Sequence, residues 1–152
     1  MKILDVLDKK SILVDLAATD KKSVLNEMVL PVSELTGIRR EQLVQVLMDR
    51  ERLGSTGIGN GIGIPHGKLK DLESLVLGFG LSRDGVDFES MDGRPTHIFF
   101  LLMTPENSTE LHLKLLARIS RLLKDESFKT RLMAADSAND IISIIESEDE
   151  DF

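Results

Sequence analysis

Along the chain the apolar positions change period several times, and each change marks an element. Ser11-Ile12-Leu13-Val14-Asp15-Leu16 reads as a short strand. From about Lys21 to Leu35, Val24, Leu25, Met28, Val29 and Val32 recur at helical spacing behind Asp20, a residue type that caps helices by accepting their first free N–H groups. Pro31 is expected to kink that helix or split it in two, and Gly37 to close it. A second helix is predicted from about Arg40 to Arg52, with Leu43, Val44, Val46 and Leu47 inward. The period is then lost between Gly54 and Gly67, a stretch that holds six of the eleven glycines. Leu75–Leu81 reads as a strand whose Gly78 and Gly80 signal close backbone approach or a bulge. Asp92-Gly93 is a turn signal. Thr96–Met103 is apolar on both faces, the mark of a central strand. After the loop Pro105-Glu106-Asn107-Ser108, Ser108 or Thr109 caps a long helix with Leu111, Leu115, Leu116, Ile119, Leu122 and Leu123 on one face. A shorter helix is predicted around Phe128 to Ala134. Ser137 caps a last one carrying Ile141, Ile142, Ile144 and Ile145.

No repeat of 20–50 residues and no internal linker interrupts this order. Helices precede, interrupt and follow the strands, which predicts a single α/β domain: a mixed β-sheet with helices on both faces. Its 152 residues and 41% apolar content suffice for a packed core. The domain is expected to span residues 1–146, with 147–152 as an acidic tail. The run Glu146-Ser147-Glu148-Asp149-Glu150-Asp151 carries five carboxylates and reads as solvated and frayed.

Composition removes several chemistries. Without Cys there is no disulfide framework, zinc–thiolate site or cysteine nucleophile. The net charge of −7 argues against nucleic-acid binding, which rests on Lys and Arg meeting phosphates. The longest apolar run, His97–Met103, is far short of the ~20 residues of a membrane helix. MKILDVLDKK has no apolar signal-peptide core, so a cytoplasmic location is expected.

Candidate chemistry concentrates in Arg50-Glu51-Arg52-Leu53-Gly54-Ser55-Thr56-Gly57-Ile58-Gly59-Asn60-Gly61-Ile62-Gly63-Ile64-Pro65-His66-Gly67-Lys68. Nucleotide loops fail here. The phosphate loop that needs Gly-Lys followed by Ser or Thr meets Leu69, and no register completes the dinucleotide fingerprint. There remains a histidine after Pro65, which restricts the backbone, and before Gly67, which leaves the approach clear. A neutral imidazole keeps one free lone pair and can accept a phosphoryl group if its other nitrogen is held by a hydrogen bond. Donors and positive charge must then meet the phosphoryl oxygens. Arg50, Ser55 and Thr56 are near in sequence, with loop N–H groups in addition. From the residues alone, His66 is either such an acceptor or an ordinary surface-loop histidine.

The segment Gly54-Ser55-Thr56-Gly57-Ile58-Gly59-Asn60-Gly61-Ile62 with Ile64-Pro65-His66-Gly67-Lys68 closely resembles the active-site signature of one family. This is the fructose/mannitol-type (type 2) enzyme IIA of the phosphoenolpyruvate-dependent phosphotransferase system, which includes nitrogen-regulatory IIA proteins. Arg50-Glu51-Arg52-Leu53 resembles the family's lead-in. Ser90-Met91-Asp92-Gly93-Arg94-Pro95-Thr96-His97 is similar to its turn before the central strand, and Glu110-Leu111-His112-Leu113-Lys114-Leu115-Leu116-Ala117 to its histidine-bearing helix start. Gly63 departs from the alanine of many relatives. The resemblance implies the same α/β fold, His66 as the phosphorylated nucleophile, and Arg50 and His112 as active-site partners. It implies HPr or a nitrogen-branch HPr as donor, an enzyme IIB or regulatory target proteins downstream, and contact with a membrane only through a permease complex. No cofactor is expected, and no metal: His66, His97 and His112 fit no common ligand spacing, and only a three-histidine site assembled from distant positions would remain.

Each residue also has a plainer reading. Arg50 favours a helix C-terminus by charge alone. His112 fits a hydrogen-bonded, partly buried position. His97 reads as structural, and Ser55 and Thr56 can satisfy turn backbone as well as bind phosphoryl oxygens. Leu53, Ile58 and Ile64 are packing residues or an apolar ring for docking HPr. Three functions follow: a nitrogen-regulatory phosphocarrier that signals by protein binding, a fructose-type IIA passing phosphate to enzyme IIB, and a binding module on the same fold with an inert His66. The wording of the glycine segment and the lack of fused transport domains favour the first, and Leu77–Asp87 resembles the fructose type.

Overall fold

The computed structural model describes all 152 residues. A six-stranded mixed sheet carries helices on both faces, as the alternation of elements predicts. The strands are β1 (Leu7–Leu13), β2 (Gly57–Gly59), β3 (Ile62–Gly63), β4 (His66–Leu69), β5 (Val76–Val86) and β6 (Thr96–Pro105). The helices are α1 (Lys21–Thr36), α2 (Arg40–Glu51), α3 (Thr109–Leu122), α4 (Glu126–Met133) and α5 (Ala138–Glu148). The order β1-β5-β6-β3-β2 puts the apolar β6 in the middle. β5 is antiparallel to β6, and both β3 and β4 run parallel to β6 along successive stretches.

The two-faced apolarity of β6 divides the core. Phe99, Leu101 and Met103 pack with α1 and α2, while Ile98, Phe100 and Leu102 pack with α3, α4 and α5. Gly80 of β5 lets α1 close on the sheet: a Cβ there would lie 2.7 Å from Leu16 Cδ1 and 3.0 Å from Met28 Cε.

Several expectations need correction. Pro31 does not split α1, which runs unbroken from Lys21 to Thr36; the buried stripe continues through Val32 beyond it and holds the last turn despite the missing N–H. The first strand begins at Leu7, four residues earlier than the pattern indicates, because charged Asp8, Lys9 and Lys10 fill an irregular stretch of its ladder. β5 extends past Leu81 through a polar segment to Val86. The glycine segment forms three short strands. Asn60 (φ 56°) and Gly61 (φ 78°) make the two-residue turn between β2 and β3.

The acidic end is not frayed. α5 continues to Glu148, and the Asp149 carboxylate accepts the N–H groups of Ile3 (2.9 Å) and Leu4 (3.0 Å). The Phe152 N–H then donates to the Met1 carbonyl at 2.8 Å.

Candidate functional site

His66 opens β4, at the point where the strand resumes pairing with β6 after the break at Ile64-Pro65. The Pro65 carbonyl accepts the Leu102 N–H at 2.9 Å, so the histidine sits on a strand anchored to the middle of the sheet and not on a loose loop. Alternation along β4 turns His66 and Lys68 to the α3 face, and Gly67 and Leu69 to the α2 face. The reason for Gly67 therefore differs from the expected one. A Cβ there would meet Val46 Cγ1 at 2.6 Å, so its absence lets α2 pack on β4 on the side away from the imidazole.

The half-buried His66 ring is oriented by its own chain. Its Nδ1 lies 2.7 Å from the Ile64 carbonyl oxygen, which can only accept; Nδ1 therefore carries the proton and Nε2 keeps its lone pair. Burial pulls the pKa of His66 below its ordinary value. The Ile64 hydrogen bond opposes this, the charge of Arg50 adds to it, and that of Glu51 opposes it. The ring is thus neutral near pH 7.

The structure brings His112 to His66, with ring centroids 5.4 Å apart at 61°. His112 lies in the first turn of α3 and is buried, with Nδ1 2.6 Å from the Thr104 hydroxyl. Thr104 is fully buried and has no other acceptor, so its hydroxyl donates to Nδ1 and leaves the proton of His112 on Nε2. Burial, then the charges of His66 and Lys68, lower the pKa of His112 to about 4.

Two cations attend the pair. Arg50, in the last turn of α2, donates to the Gly54 carbonyl at 3.0 Å and has no carboxylate partner. Lys68 donates to the Thr109 hydroxyl at 2.8 Å at the start of α3. Both leave N–H donors free for an anion.

Ser55 and Thr56 are committed elsewhere. The Ser55 hydroxyl donates to the Phe88 carbonyl (3.1 Å) and accepts the Gly57 N–H (3.0 Å). The buried Thr56 donates its hydroxyl to the Glu51 carboxylate. Neither keeps a proton for a phosphoryl oxygen; they follow the plainer reading of backbone and loop anchors. His97 lies apart, with Nδ1 2.8 Å from the Ser82 carbonyl, and no three His, Asp or Glu side chains converge as metal ligands would. Ile64 is buried in the core, whereas Leu53 (84% exposed) and Ile58 (48%) are outside it, joined by Met91 (78%) and Leu113 (58%).

Sequence reasoning missed Glu51, Lys68 and Thr104. Glu51 had a signal: a carboxylate ending a helix opposes the helix dipole and needs a partner. Lys68 was legible as the second residue after His66 on one strand face.

Comparison with known proteins agrees with this geometry. The family model described as phosphoenolpyruvate-dependent sugar phosphotransferase system, EIIA 2, matches residues 5–148. A nitrogen regulatory protein of Bradyrhizobium diazoefficiens is 42% identical over 145 residues, 95% of each chain. The PTS system fructose-specific EIIABC component of Bacillus subtilis is 38% identical over 150 residues, 98% of this chain and 24% of its own length. Among solved structures, the nitrogen regulatory protein IIA-Ntr of Neisseria meningitidis has a TM-score of 0.88 at 30% identity, covering 93% of this chain and 97% of its own. A signature that surrounds the neutral histidine, a closely similar fold and a match over nearly the whole length converge: the chain belongs to the type 2 EIIA family of the phosphoenolpyruvate-dependent sugar phosphotransferase system.

Proposed function

We propose that His66 accepts a phosphoryl group on Nε2 from the phosphohistidine of HPr or a nitrogen-branch HPr. The observation that carries this reading is the 2.7 Å hydrogen bond from Nδ1 to the Ile64 carbonyl, which leaves Nε2 alone as the nucleophile. In the transfer, the donor's N–P bond breaks and one forms to Nε2, and the donor nitrogen regains its lone pair. The Nδ1 proton stays on His66, and the Ile64 carbonyl stabilises the positive charge that the ring acquires. Arg50 and the Nε2–H of His112 meet the phosphoryl oxygens, and Lys68 adds positive charge. Phosphoryl transfer needs little covalent chemistry beyond the nucleophile, so in-line placement and charge do most of the work.

The name of the Bradyrhizobium relative favours a nitrogen-regulatory role, in which phosphorylation changes how this protein binds regulatory targets in the cytoplasm. The name of the Bacillus relative supports a second reading, delivery to an enzyme IIB and so to a permease complex.

The test is incubation with phosphoenolpyruvate, enzyme I and HPr or its nitrogen-branch counterpart, followed by intact mass. We expect one acid-labile adduct of phosphate mass, absent in His66→Ala, with phosphorus coupled to Nε2 by NMR. No adduct with either donor overturns the proposal in favour of an unphosphorylated binding module. Onward transfer to an added enzyme IIB separates transport from regulation.

A further inference from the structure

Glu51 and Lys21 form a buried ion pair that the phosphoryl chemistry does not use directly. Their charged atoms lie 2.9 Å apart, and their side chains are 2% and 9% exposed. Replacing such a pair by packed apolar groups is often neutral or stabilising, so stability alone does not account for it. What the pair does to its neighbours is more specific. One Glu51 oxygen accepts the Thr56 N–H at 3.1 Å, and the other accepts the Thr56 hydroxyl. The Thr56 carbonyl accepts the Ile64 N–H at 3.0 Å. The Ile64 carbonyl is the group that holds Nδ1 of His66.

We infer that the Lys21–Glu51 pair is a positioning device for His66: through Thr56 and the backbone on either side of the Ile64 α-carbon it fixes which imidazole nitrogen is protonated and which is nucleophilic. The inference deepens the phosphocarrier reading and rests on it for its consequence in catalysis. Each link has its own geometric reason. Lys21 opens α1 and Glu51 closes α2, so the pair ties the two helices that cover one face of the sheet. Thr56 gives each carboxylate oxygen a hydrogen bond, one from its N–H and one from its hydroxyl, which pins the residue between them. Ile64 immediately precedes Pro65, which has no N–H, and β4 pairs with β6 only from His66 onward. The Thr56 carbonyl therefore holds the backbone just before the Ile64 carbonyl, as the Leu102 N–H holds it just after, at Pro65.

A second set of contacts braces the same loop. Lys21 Nζ lies 5.0 Å from the centre of the Phe88 ring and 3.5 Å from Glu89. Phe88 and Ser90 in turn bond Ser55 and Gly57 on either side of Thr56. The negative charge of Glu51 also supports the cationic ring that phosphorylation creates on His66, a secondary effect of the same placement.

The test uses the full chain and three variants: Glu51→Gln, Thr56→Val and the double variant Lys21→Met/Glu51→Leu. The last leaves no lone buried charge and keeps the test open if Glu51→Gln does not fold. The first readout is imidazole 15N–1H correlation NMR near pH 7, which requires no phosphoryl donor. The second is single-turnover phosphorylation by HPr. Wild type is expected to show His66 only as the Nδ1–H tautomer. The folded variants are expected to show both tautomers and to lose roughly tenfold or more in the transfer rate constant, with KM for HPr unchanged. Folded variants that keep the wild-type tautomer overturn the inference, whether or not their rates fall. A tautomer shift in a protein whose wild type accepts no phosphate supports the positioning device and overturns the phosphocarrier reading alone.

Discussion

Lowering the pH from 7 to 5 bears most heavily on one side chain in this fold, His112. Burial, with the charges of His66 and Lys68, takes its pKa from the ordinary 6.5 to about 4. Unfolding releases those restraints, so below pH 6.5 the unfolded chain binds a proton that the folded chain refuses. The contribution to stability is complete above pH 6.5 and is lost as pH falls towards 4. Over the whole window it amounts to no more than about 3 kcal/mol, and with solvent screening at the open edge of the site to about 1 kcal/mol between pH 7 and pH 5. Asp20 and Asp92 do not interfere. The Ser23 N–H lowers the first, the Arg94 and Asn60 N–H groups lower the second, and both therefore titrate beneath the window. His66 is also depressed, chiefly by burial, and adds a loss of the same sign. Urea unfolding of wild type and His112→Gln at both pH values separates the two. The variant should lose about 1 kcal/mol less than wild type on acidification. Equal losses in the two proteins would refute the assignment of a depressed pKa to His112.

Gly67→Ala should destabilise by about 1–3 kcal/mol in thermal unfolding, because its Cβ meets Val46 Cγ1 at 2.6 Å; Val46→Ala should recover most of the loss. Asp149→Ala should cost about 1 kcal/mol by the same assay, since two N–H groups at Ile3 and Leu4 lose their acceptor. Leu53→Ser and Met91→Ser, both highly exposed, should leave stability within about 0.5 kcal/mol and raise KM for HPr in the phosphorylation assay. Arg50→Met should lower the single-turnover rate by roughly a hundredfold with little change in the unfolding midpoint, because its guanidinium has no carboxylate to lose.

Local pattern carried the helices well because their caps are local. Asp20 bonds the Ser23 N–H, Ser137 bonds the Asp140 N–H, and Gly37 adopts φ 75° at the end of α1. The strands were legible where apolar and hidden where polar: Asp8-Lys9-Lys10 in β1 and Ser82–Gly85 in β5 lie where the ladder shifts register, which periodicity does not report. Asn60-Gly61 was a readable hairpin signal within the glycine segment. At the site, His66, Arg50 and His112 became candidates through the family resemblance, and the structure brings the two rings together. The commitments of Ser55 and Thr56 were not, because a hydroxyl's partner depends on tertiary contacts: Phe88 lies 33 residues from Ser55. The same holds for Glu51, whose counter-charge Lys21 stands at the far end of another helix.

The break at Ile64-Pro65 leaves the accepting ring on the sheet's middle strand pair, with one nitrogen tied inward and a single nitrogen outward. If His66 is the carrier proposed above, one nitrogen serves both arrival and departure. The protein that delivers the phosphoryl group and the protein that collects it would then meet the same atom in turn, and an abundant partner that lingers there would slow the next.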